Sequence, residues 1–374
     1  MAVLLARHCR YCRHRCRIHC RYWRYPRTDA GFSVGAYTST RVRRNDAGPE
    51  PATGLEAGHE LAREVRPLSM PSAPFETQLL RGAPVAAALR ERTLASSTLL
   101  REQLGVTPTL VTLHVGADPA ALAYRGSIER SVAKAGIEHR GITLPPSVGT
   151  DEFIDTIFRL NDDPLVHGVL VLMPMPPHLN LELAAEHLSP MKDVDGITPT
   201  NAGRLHLGLP ALRPSTPQGG IELLDHYGID LEGKHAVVIG RSNIVGKPMA
   251  TLMTRRNATV TLCHRKTVDL AHHVAQAEIV AVAAGSPGLI RGDMLREGAM
   301  VIDFGINVLG DGIVGDVDAA SVMGVASGYT PVPGGTGPVT VMVLASNTIA
   351  AAFASMATPF EAAGDPIGAS SLTR

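Results

Sequence analysis

Two apolar patterns alternate along the chain from about Leu79 onward. Apolar positions at helical spacing predict helices over 86–104 and 120–135, whereas short continuous apolar runs predict buried strands over 109–115 and 166–173. This alternation is typical of a parallel sheet with helices on its faces, because parallel strands need a crossover between them. The pattern therefore predicts an α/β fold.

A second series of short apolar runs follows. Each run is β-branched or rich in alanine and is closed by glycine or a polar turn; the runs cover 235–240, 258–263, 278–284 and 300–304. This series predicts a second parallel sheet, of the kind that binds nucleotides. The segment RPSTPQGG (213–220) lies between the two series and is rich in proline and glycine, so we interpret it as a hinge or connection.

Composition restricts the class of protein. The chain has 374 residues, of which 45% are hydrophobic, and this length predicts about two domains. Its 35 basic residues balance 35 acidic residues, which leaves no net field to attract nucleic acid. Uninterrupted apolar runs do not approach the roughly 18 residues of a membrane span, and the start lacks the apolar core of a secretory signal. We therefore expect no nucleic-acid partner and no membrane association.

The first 28 residues differ from the rest of the chain. They hold eight arginines, no lysine, no acidic residue and four of the five cysteines. These are Cys9, Cys12, Cys16 and Cys20. Spacings of three and four residues place them on one stripe of a helix, not at the convergent corners of a zinc site, so we predict no metal site. A targeting peptide or a basic nucleic-acid arm is an alternative.

We expect residues 1–69 to form a disordered or non-native extension, and a translation start at Met70 stays open. Beyond this extension Cys263 is the only cysteine, so the remaining chain cannot form an internal disulfide. Together with the missing secretory signal, this predicts a reducing compartment, the cytoplasm.

A glycine-containing turn follows the first strand of the second series. The strand HAVVIG ends at Gly240, and Gly246 and Pro248 stand at the start of a predicted helix that reaches Thr254. Glycine lets a backbone come close to a ligand, and the exposed N–H groups at the positive end of a helix would bind a pyrophosphate. The spacing is not G-x-G-x-x-G, so a tight turn without any ligand is the alternative.

Basic residues mark the ends of two of these strands. Arg241 follows Gly240, and Arg265 follows the strand that ends at His264. An acidic residue at such a strand tip would select NAD through the ribose hydroxyls, whereas a basic residue would bind the 2′-phosphate of NADP. Arg241 and Arg265 therefore indicate NADP, with two solvated surface arginines as the alternative.

Five longer motifs occur in order in the body of the chain. They are KDVDGITPTNAGRL (192–205), RPSTPQG (213–219), VVIGRSNIVGKPM (237–249), VIDFGIN (301–307) and YTPVPGGTGPVT (329–340). Together they resemble the bifunctional methylenetetrahydrofolate dehydrogenase and methenyltetrahydrofolate cyclohydrolase family, and the resemblance covers about residues 78–352. Five motifs in register are far more specific than one glycine turn.

The resemblance implies two domains with the folate in a cleft between them. A folate-binding catalytic domain would comprise 70–198 and 339–374, and a Rossmann-like NADP-binding domain would comprise 199–338. Members of the family are usually homodimers, so we expect a homodimer. Besides Gly246 and Arg265, the resemblance implies four dinucleotide contacts: Gly240, Arg241, Ser242 and Ile306. For the folate it implies that Asp195 binds the pterin ring and that Tyr124 lines the pocket. Pro333 and Gly334 would border the cleft.

Tyr124 and Asp195 would thus be the catalytic residues. Asp195 precedes a glycine and could instead form a turn, and Tyr124 could be a core aromatic residue. Both alternatives are settled only by the surroundings of the two side chains.

The sequence departs from the family at two positions. Four residues after the tyrosine, where the family has a lysine, stands Ile128, and where the family has a glutamine that pairs with this lysine stands Leu172. Lys134 lies almost two helical turns beyond Ile128 and would not reach the pocket. Replacing both members of a buried polar pair by apolar residues can be nearly neutral, whereas removing one leaves the other unsatisfied.

These observations predict an NADP-dependent oxidoreductase that converts 5,10-methylenetetrahydrofolate into 5,10-methenyltetrahydrofolate, with weak or absent cyclohydrolase activity. Hydride transfer is driven by the lone pair of a substrate nitrogen and needs mainly alignment. Hydrolysis needs proton transfers that a positioned lysine assists by roughly 10²- to 10⁴-fold. The alternatives are a dehydrogenase for another one-carbon or pterin adduct, and a non-catalytic paralogue that binds folate or NADP.

Overall fold

The computed structural model describes residues 76–310 and 312–356, all within the compact unit Pro67–Arg374. Our expectations for residues 1–69, including the cysteine-rich segment, therefore lie outside the described residues. The described chain is α/β, as the apolar pattern predicts. Its helices are α1 (Gly82–Leu104), α2 (Pro119–Ala133), α3 (Thr150–Asp162), α4 (Leu181–His187), α5 (Pro199–His206), α6 (Ser215–His226), α7 (Gly246–Arg255), α8 (Leu270–Val274), α9 (Ala319–Val322) and α10 (Thr336–Met356).

The strands are β1 (Gln78–Leu79), β2 (Thr109–Val115), β3 (Glu138–Leu144), β4 (Gly168–Val171), β5 (His235–Ile239), β6 (Thr259–Cys263), β7 (Ile279–Val282), β8 (Met300–Asp303), β9 (Asn307–Leu309), β10 (Gly312–Val314) and β11 (Gly328–Tyr329). The predicted strands of both series are present, and their bounds differ from the predictions by a few residues at most. The helix predicted over 86–104 begins one turn earlier, at Gly82.

A three-stranded parallel sheet in the order β3-β2-β4 forms the first half of the body. Its central strand β2 is buried along its whole length, because helices cover both faces. One face packs against α1, α2 and α10, and the other against α3 and α4. The helix α2, which contains Tyr124, is therefore held between β3 and α10.

A six-stranded parallel sheet in the order β1-β11-β8-β7-β5-β6 forms the second half. The strand β5 lies between β6 and β7, so the chain crosses from one side of β5 to the other after β6. In open α/β sheets, ligands bind in the crevice at the carboxyl ends of the strands where this reversal occurs. The edge strand β1 precedes the first sheet in sequence, so the described part of the chain begins in the second sheet and returns to it after the first sheet.

The interpretation of 213–220 as a hinge is wrong. Ser215 begins helix α6, which runs to His226. The prolines of this segment stand at the cap and in the first turn, where a helix tolerates them. The glycines serve close packing: a Cβ atom at Gly220 would lie 2.5 Å from the ring of Phe304. Proline and glycine here mark the tight start of a helix, not a flexible connection.

The helix α10 is the one helix of the described residues that is long and apolar enough to span a membrane. However, 61% of its most apolar window is buried inside the protein, where it packs against α1 and α6. Core helices of globular proteins share this composition. We therefore interpret α10 as the central helix of the core.

Candidate functional site

The carboxylate of Asp195 connects the two halves of the body. It accepts hydrogen bonds from the hydroxyl and the backbone N–H of Ser215, the first residue of α6. Burial raises the pKa of Asp195 to about 6, the Ser215 hydroxyl opposes this shift, and the nearby charge of Asp193 adds to it. A carboxyl group with such a pKa is close to half protonated at mildly acidic pH, and a pKa shifted in this way makes Asp195 a candidate functional acid.

The turn alternative for this motif applies to Asp193, not to Asp195. Asp193 is fully buried and accepts hydrogen bonds from the backbone N–H groups of Ile197 and Thr198 and from the side chain of Asn201. It thereby holds the segment 193–198 and the start of α5 together. Because Asp193 forms the turn, the carboxylate of Asp195 remains directed to Ser215 and to the site.

Tyr124 lies in the first half of α2 and is not a core aromatic, since 40% of its surface is exposed. The surrounding protein atoms reduce the hydration of its hydroxyl and raise its pKa, and the negative charge of Asp195 raises it further. The phenol therefore stays protonated at neutral pH. The charge of Asp195 thus lies within electrostatic range of the Tyr124 hydroxyl, and a shared folate site for the two side chains stays a prediction.

Ile128 lies one helical turn beyond Tyr124 and is fully buried, and Leu172 is 3% exposed. Both belong to one apolar cluster that also includes residues of α1 and α10. Lys134 is exposed and stands after the last residue of α2, so it lies outside this cluster. The two positions at which the family has its lysine and glutamine are therefore part of the hydrophobic core.

The loop with Pro333 and Gly334 precedes α10. Both residues are exposed, and the carbonyl of Gly334 accepts a hydrogen bond from the N–H of Gly82 at the start of α1. Hydrogen bonds between described residues do not connect this loop to Tyr124 or Asp195. The structure thus places the loop at the surface between β11 and α10, and its position at the border of a folate site stays a prediction.

The turn after β5 is very tight, and glycine is required at two positions. Gly240 has φ +114°, and a Cβ atom there would lie 2.0 Å from the carbonyl oxygen of Ala283. A Cβ atom at Gly246 would lie 2.0 Å from the carbonyl oxygen of Gly240. The hydroxyl of Ser242 accepts hydrogen bonds from the N–H groups of Val245 and Gly246. This close approach of strand and helix is the geometry that a pyrophosphate site needs.

Replacement of Gly246 by alanine is expected to cost several kcal/mol of stability, because the added methyl group overlaps backbone atoms that cannot move independently. Dinucleotide binding should be lost in parallel. Thermal unfolding and NADPH fluorescence measure the two effects. Gly203→Ala in α5 is the matched control, because its added Cβ meets no atom within 4 Å and alanine favours helix. Equal behaviour of the two variants would contradict the steric argument.

The remaining predicted dinucleotide residues lie in the loops after the strands of the second sheet. Arg241 follows β5, Arg265 follows β6, and both are exposed. Ile306, after β8, is 70% exposed. The carboxylate of Asp316 accepts three backbone N–H groups from the loop after β7, those of Ala284, Gly285 and Ser286, and the side-chain amide of Asn307 after β8. The sheet therefore brings the predicted residues to one edge, where Asp316 orders the loops.

The sequence pattern does not single out three residues that the structure shows in special surroundings. Ser215 holds the Asp195 carboxylate, and its only signal is its place within the motif RPSTPQG. His114 is fully buried in β2, and in the sequence it is one polar residue within an apolar strand. Asp316, which orders the loops of the second sheet, follows the motif VIDFGIN without belonging to it.

Comparisons with known proteins cover most of the described chain. The catalytic domain of tetrahydrofolate dehydrogenase/cyclohydrolase matches residues 80–195, and the NAD(P)-binding domain of the same family matches residues 214–356. A bifunctional protein FolD from Chloroflexus aurantiacus is 48% identical over 278 residues, which is 74% of this chain and 98% of that protein.

Solved structures agree with these matches. The FolD dehydrogenase/cyclohydrolase from Campylobacter jejuni superposes with a TM-score of 0.72 at 42% identity, over 74% of this chain and 99% of that chain. The Trypanosoma brucei dehydrogenase-cyclohydrolase, solved with NADP cofactor and inhibitor, superposes with a TM-score of 0.73 at 34% identity, over 76% of this chain and 99% of that chain.

Proposed function

Because this chain belongs to the tetrahydrofolate dehydrogenase/cyclohydrolase family, we propose that it is an NADP-dependent methylenetetrahydrofolate dehydrogenase with little or no cyclohydrolase activity. Its product would be 5,10-methenyltetrahydrofolate. The burial of both Ile128 and Leu172 in one apolar cluster carries the second part of the proposal. Because Ile128 stands where the family has its lysine, the chain has no cation at this position to assist proton transfer during hydrolysis of the methenyl bridge.

The dehydrogenase residues are retained. An ionised Asp195 would accept hydrogen bonds from the N–H groups of the pterin ring, and Ser215 holds its carboxylate in place. Tyr124 would pack against the folate. Bound NADP supplies the hydride acceptor. The chain's task is to align the two ligands and to exclude water, which the apolar side chains of Ile128 and Leu172 favour.

The dinucleotide would lie at the carboxyl edge of the second sheet. The turn from Gly240 to Gly246 leaves room for a pyrophosphate, with Ser242 at the start of α7. Arg241 and Arg265 would bind the 2′-phosphate, since both stand at strand ends without an acidic residue beside them. Ile306 would offer an apolar contact.

One assay tests the proposal. The protein is mixed with 5,10-methylenetetrahydrofolate and either NADP or NAD, and reduced nicotinamide and methenyl absorbance are followed separately. We expect both signals to rise together with NADP, and the methenyl compound to disappear only at the rate of an enzyme-free control. Binding of both ligands without reduction would favour the non-catalytic alternative. Oxidation of another adduct at a higher rate would favour the alternative substrate.

The KM for the folate is expected to rise as the pH falls below about 6, because protonated Asp195 no longer offers two acceptor oxygens. The KM rises toward low pH because the folate binds to the enzyme with ionised Asp195, and the fraction of this form falls as the pH decreases through the pKa. Replacement of Ser215 by alanine removes a hydrogen bond that lowers this pKa, so the inflection should move to higher pH. Initial rates over about pH 5 to about pH 8 measure both profiles. An inflection at the same pH in both proteins would exclude Asp195 as the titrating group.

We also propose a homodimer that uses the hairpin of β9 and β10. This hairpin exposes a row of apolar side chains, which monomers rarely leave in water. They are Val308 (70% exposed), Leu309 (56%), Ile313 (46%) and Val314 (36%). Val308→Asp is expected to give a monomer by light scattering after gel filtration, whereas Leu207→Asp, at an exposed leucine after α5, should leave the mass unchanged. A wild-type protein of monomer mass would refute the proposal. We also propose a cytoplasmic location for the protein.

A further inference from the structure

Asp316 follows the hairpin of β9 and β10, and its side chain is fully buried. One carboxylate oxygen accepts the backbone N–H groups of Ala284 and Gly285, at 2.6 and 2.8 Å. The other oxygen accepts the N–H of Ser286 and the side-chain amide of Asn307, both at 2.8 Å. Successive N–H groups of a loop that surround an anion form the concave arrangement in which proteins bind phosphate. Here the protein supplies the anion itself, so these N–H groups serve to fix the loop.

The two loops that Asp316 holds border the predicted dinucleotide crevice. The loop 284–286 continues from Ala283, whose carbonyl oxygen a Cβ atom at Gly240 would overlap. Asn307 opens β9, directly after the loop that follows β8. In the sheet order β8-β7-β5-β6, the turn before α7 therefore stands in the middle, with Arg265 after β6 on one side and the two loops on the other. A dinucleotide with its pyrophosphate at the turn and its 2′-phosphate at Arg265 would place its nicotinamide half at these loops.

The position of Asp316 is in turn fixed by Asp303, the last residue of β8, which is also fully buried. The carboxylate of Asp303 accepts the backbone N–H groups of Gly305, Asp316 and Val317, at 2.8, 3.1 and 3.0 Å. The two carboxylates leave little free space around them. A Cβ atom at Gly305 would lie 2.5 Å from the carboxylate of Asp316, and one at Gly315 would overlap the carboxylate of Asp303. Asp316 therefore connects the end of β8 rigidly to both loops.

We propose that Asp316 is a positioning residue for the dinucleotide, whose carboxylate fixes the loops after β7 and β8 in the arrangement that receives the nicotinamide half. The proposal rests on the proposed NADP-dependent function. Asp316 has no exposed surface, so it acts through the backbone of the loops and not by direct contact. Loops that are ordered before binding reduce the entropy that the ligand must otherwise offset. The hydrogen bonds that this carboxylate accepts from described residues go to these two loops, so the adenosine half does not depend on it.

Binding measurements on Asp316→Asn test the proposal. The amide keeps the shape of the side chain, but its NH₂ group would face two N–H donors of the loops in either orientation. We expect the Kd for NADPH, measured by fluorescence, to rise about tenfold, while the Kd for adenosine 2′,5′-bisphosphate, measured by calorimetry, stays within about twofold of wild type. The bisphosphate has no nicotinamide and reports on the adenosine half alone. Unchanged affinities for both ligands would leave Asp316 a purely structural residue, and equal weakening of both would indicate general damage to the domain; either result would overturn the proposal.

Asp193→Asn is the matched control. Asp193 is also fully buried and also accepts backbone N–H groups and the side-chain amide of an asparagine, Asn201, but in the first half of the body. Both substitutions should lower the melting temperature, whereas Asp193→Asn should leave the Kd for NADPH unchanged. A wild-type protein that binds NADPH but does not oxidise the folate would refute the proposed function, while the comparison of the two variants would still decide the role of Asp316.

Asn307→Ala decides the question if Asp316→Asn does not fold. It removes the hydrogen bond to the loop after β8 but keeps the three backbone N–H groups of 284–286 on the carboxylate. We expect a smaller rise in the Kd for NADPH, of about threefold, and an unchanged Kd for adenosine 2′,5′-bisphosphate. A folded Asn307→Ala protein with the wild-type Kd for NADPH would overturn the proposal.

Amide hydrogen exchange of the ligand-free protein gives a second measurement. The N–H groups of 284–286 are bonded to a buried carboxylate, so they should exchange slowly in the wild type and in Asn307→Ala. In Asp316→Asn we expect them to exchange about tenfold faster or more, because the loop loses its acceptor. Equal exchange of these amides in Asp316→Asn and wild type would show that the carboxylate does not hold the loop, and the proposal would be wrong.

Discussion

The double substitution Ile128→Lys with Leu172→Gln is expected to give this protein cyclohydrolase activity, with an increase in methenyl hydrolysis of about 10²-fold or more over wild type. The physical reason is that the pair supplies a cationic proton donor beside the one-carbon bridge, together with an amide that satisfies it. The decay of methenyl absorbance with pure 5,10-methenyltetrahydrofolate measures the rate without any contribution from hydride transfer.

The single substitution Ile128→Lys is the control for the double one. It would place an unpaired ammonium group in the apolar cluster of Ile128 and Leu172, at a cost of about 3–5 kcal/mol in the free energy of unfolding. The added glutamine should recover part of this loss, so the double variant should be more stable than the single one. If the wild-type protein already hydrolyses the methenyl compound as fast as the double variant, the proposal that it has little or no cyclohydrolase activity is wrong.

The second large effect is expected for Asp195→Asn, which should reduce kcat/KM for methylenetetrahydrofolate by roughly 10²- to 10³-fold. Asparagine has nearly the same shape, but it lacks the negative charge and one of the two acceptor oxygens, and charge-assisted hydrogen bonds contribute about 1.5–3 kcal/mol each. NADPH binding should be unchanged, since the predicted dinucleotide residues lie at the edge of the other sheet. Steady-state kinetics and NADPH fluorescence titration separate the two ligands.

Asp193→Asn serves as the matched control in the same motif. Asp193 is fully buried and accepts three hydrogen bonds from the segment that it closes, so its substitution should lower the melting temperature. Asp195→Asn should instead leave the melting temperature nearly unchanged or raise it, because it removes a charge whose hydration the surrounding protein reduces. The assignment of roles fails if Asp193→Asn impairs folate kinetics more than Asp195→Asn does.

Strands buried on both faces were predictable from the sequence because they are short continuous apolar runs. The strand over 109–115 was predicted residue for residue, and each of the four predicted strands of the second sheet is present. The strand β3 was not predicted, since its side chains alternate between exposed and half-buried positions at the edge of the sheet. Apolar continuity was sufficient for the central strands and for the edge strand β6, whereas β3 lacks it because charged and polar residues interrupt its sequence.

The hinge interpretation of 213–220 shows the limit of local composition. Proline and glycine are typical of turns, and only the close contact of α6 with α10 and Phe304 explains why glycine is needed inside a helix. The sequence did not predict a role for Ser215, because this residue lies 20 positions from Asp195. Only the packing of α6 brings its hydroxyl to that carboxylate.

The sequence by itself determined the class of fold, the family, and the replacement of the lysine and glutamine by Ile128 and Leu172, because these follow from periodicity and from residue identity at motif positions. The tertiary structure decided which aspartate forms the turn and which faces the site, that the charge of Asp195 acts on the Tyr124 hydroxyl, and that the carboxylate of Asp316 joins the loops after β7 and β8. These are properties of burial and of contact between distant segments, and no local pattern of residues encodes them.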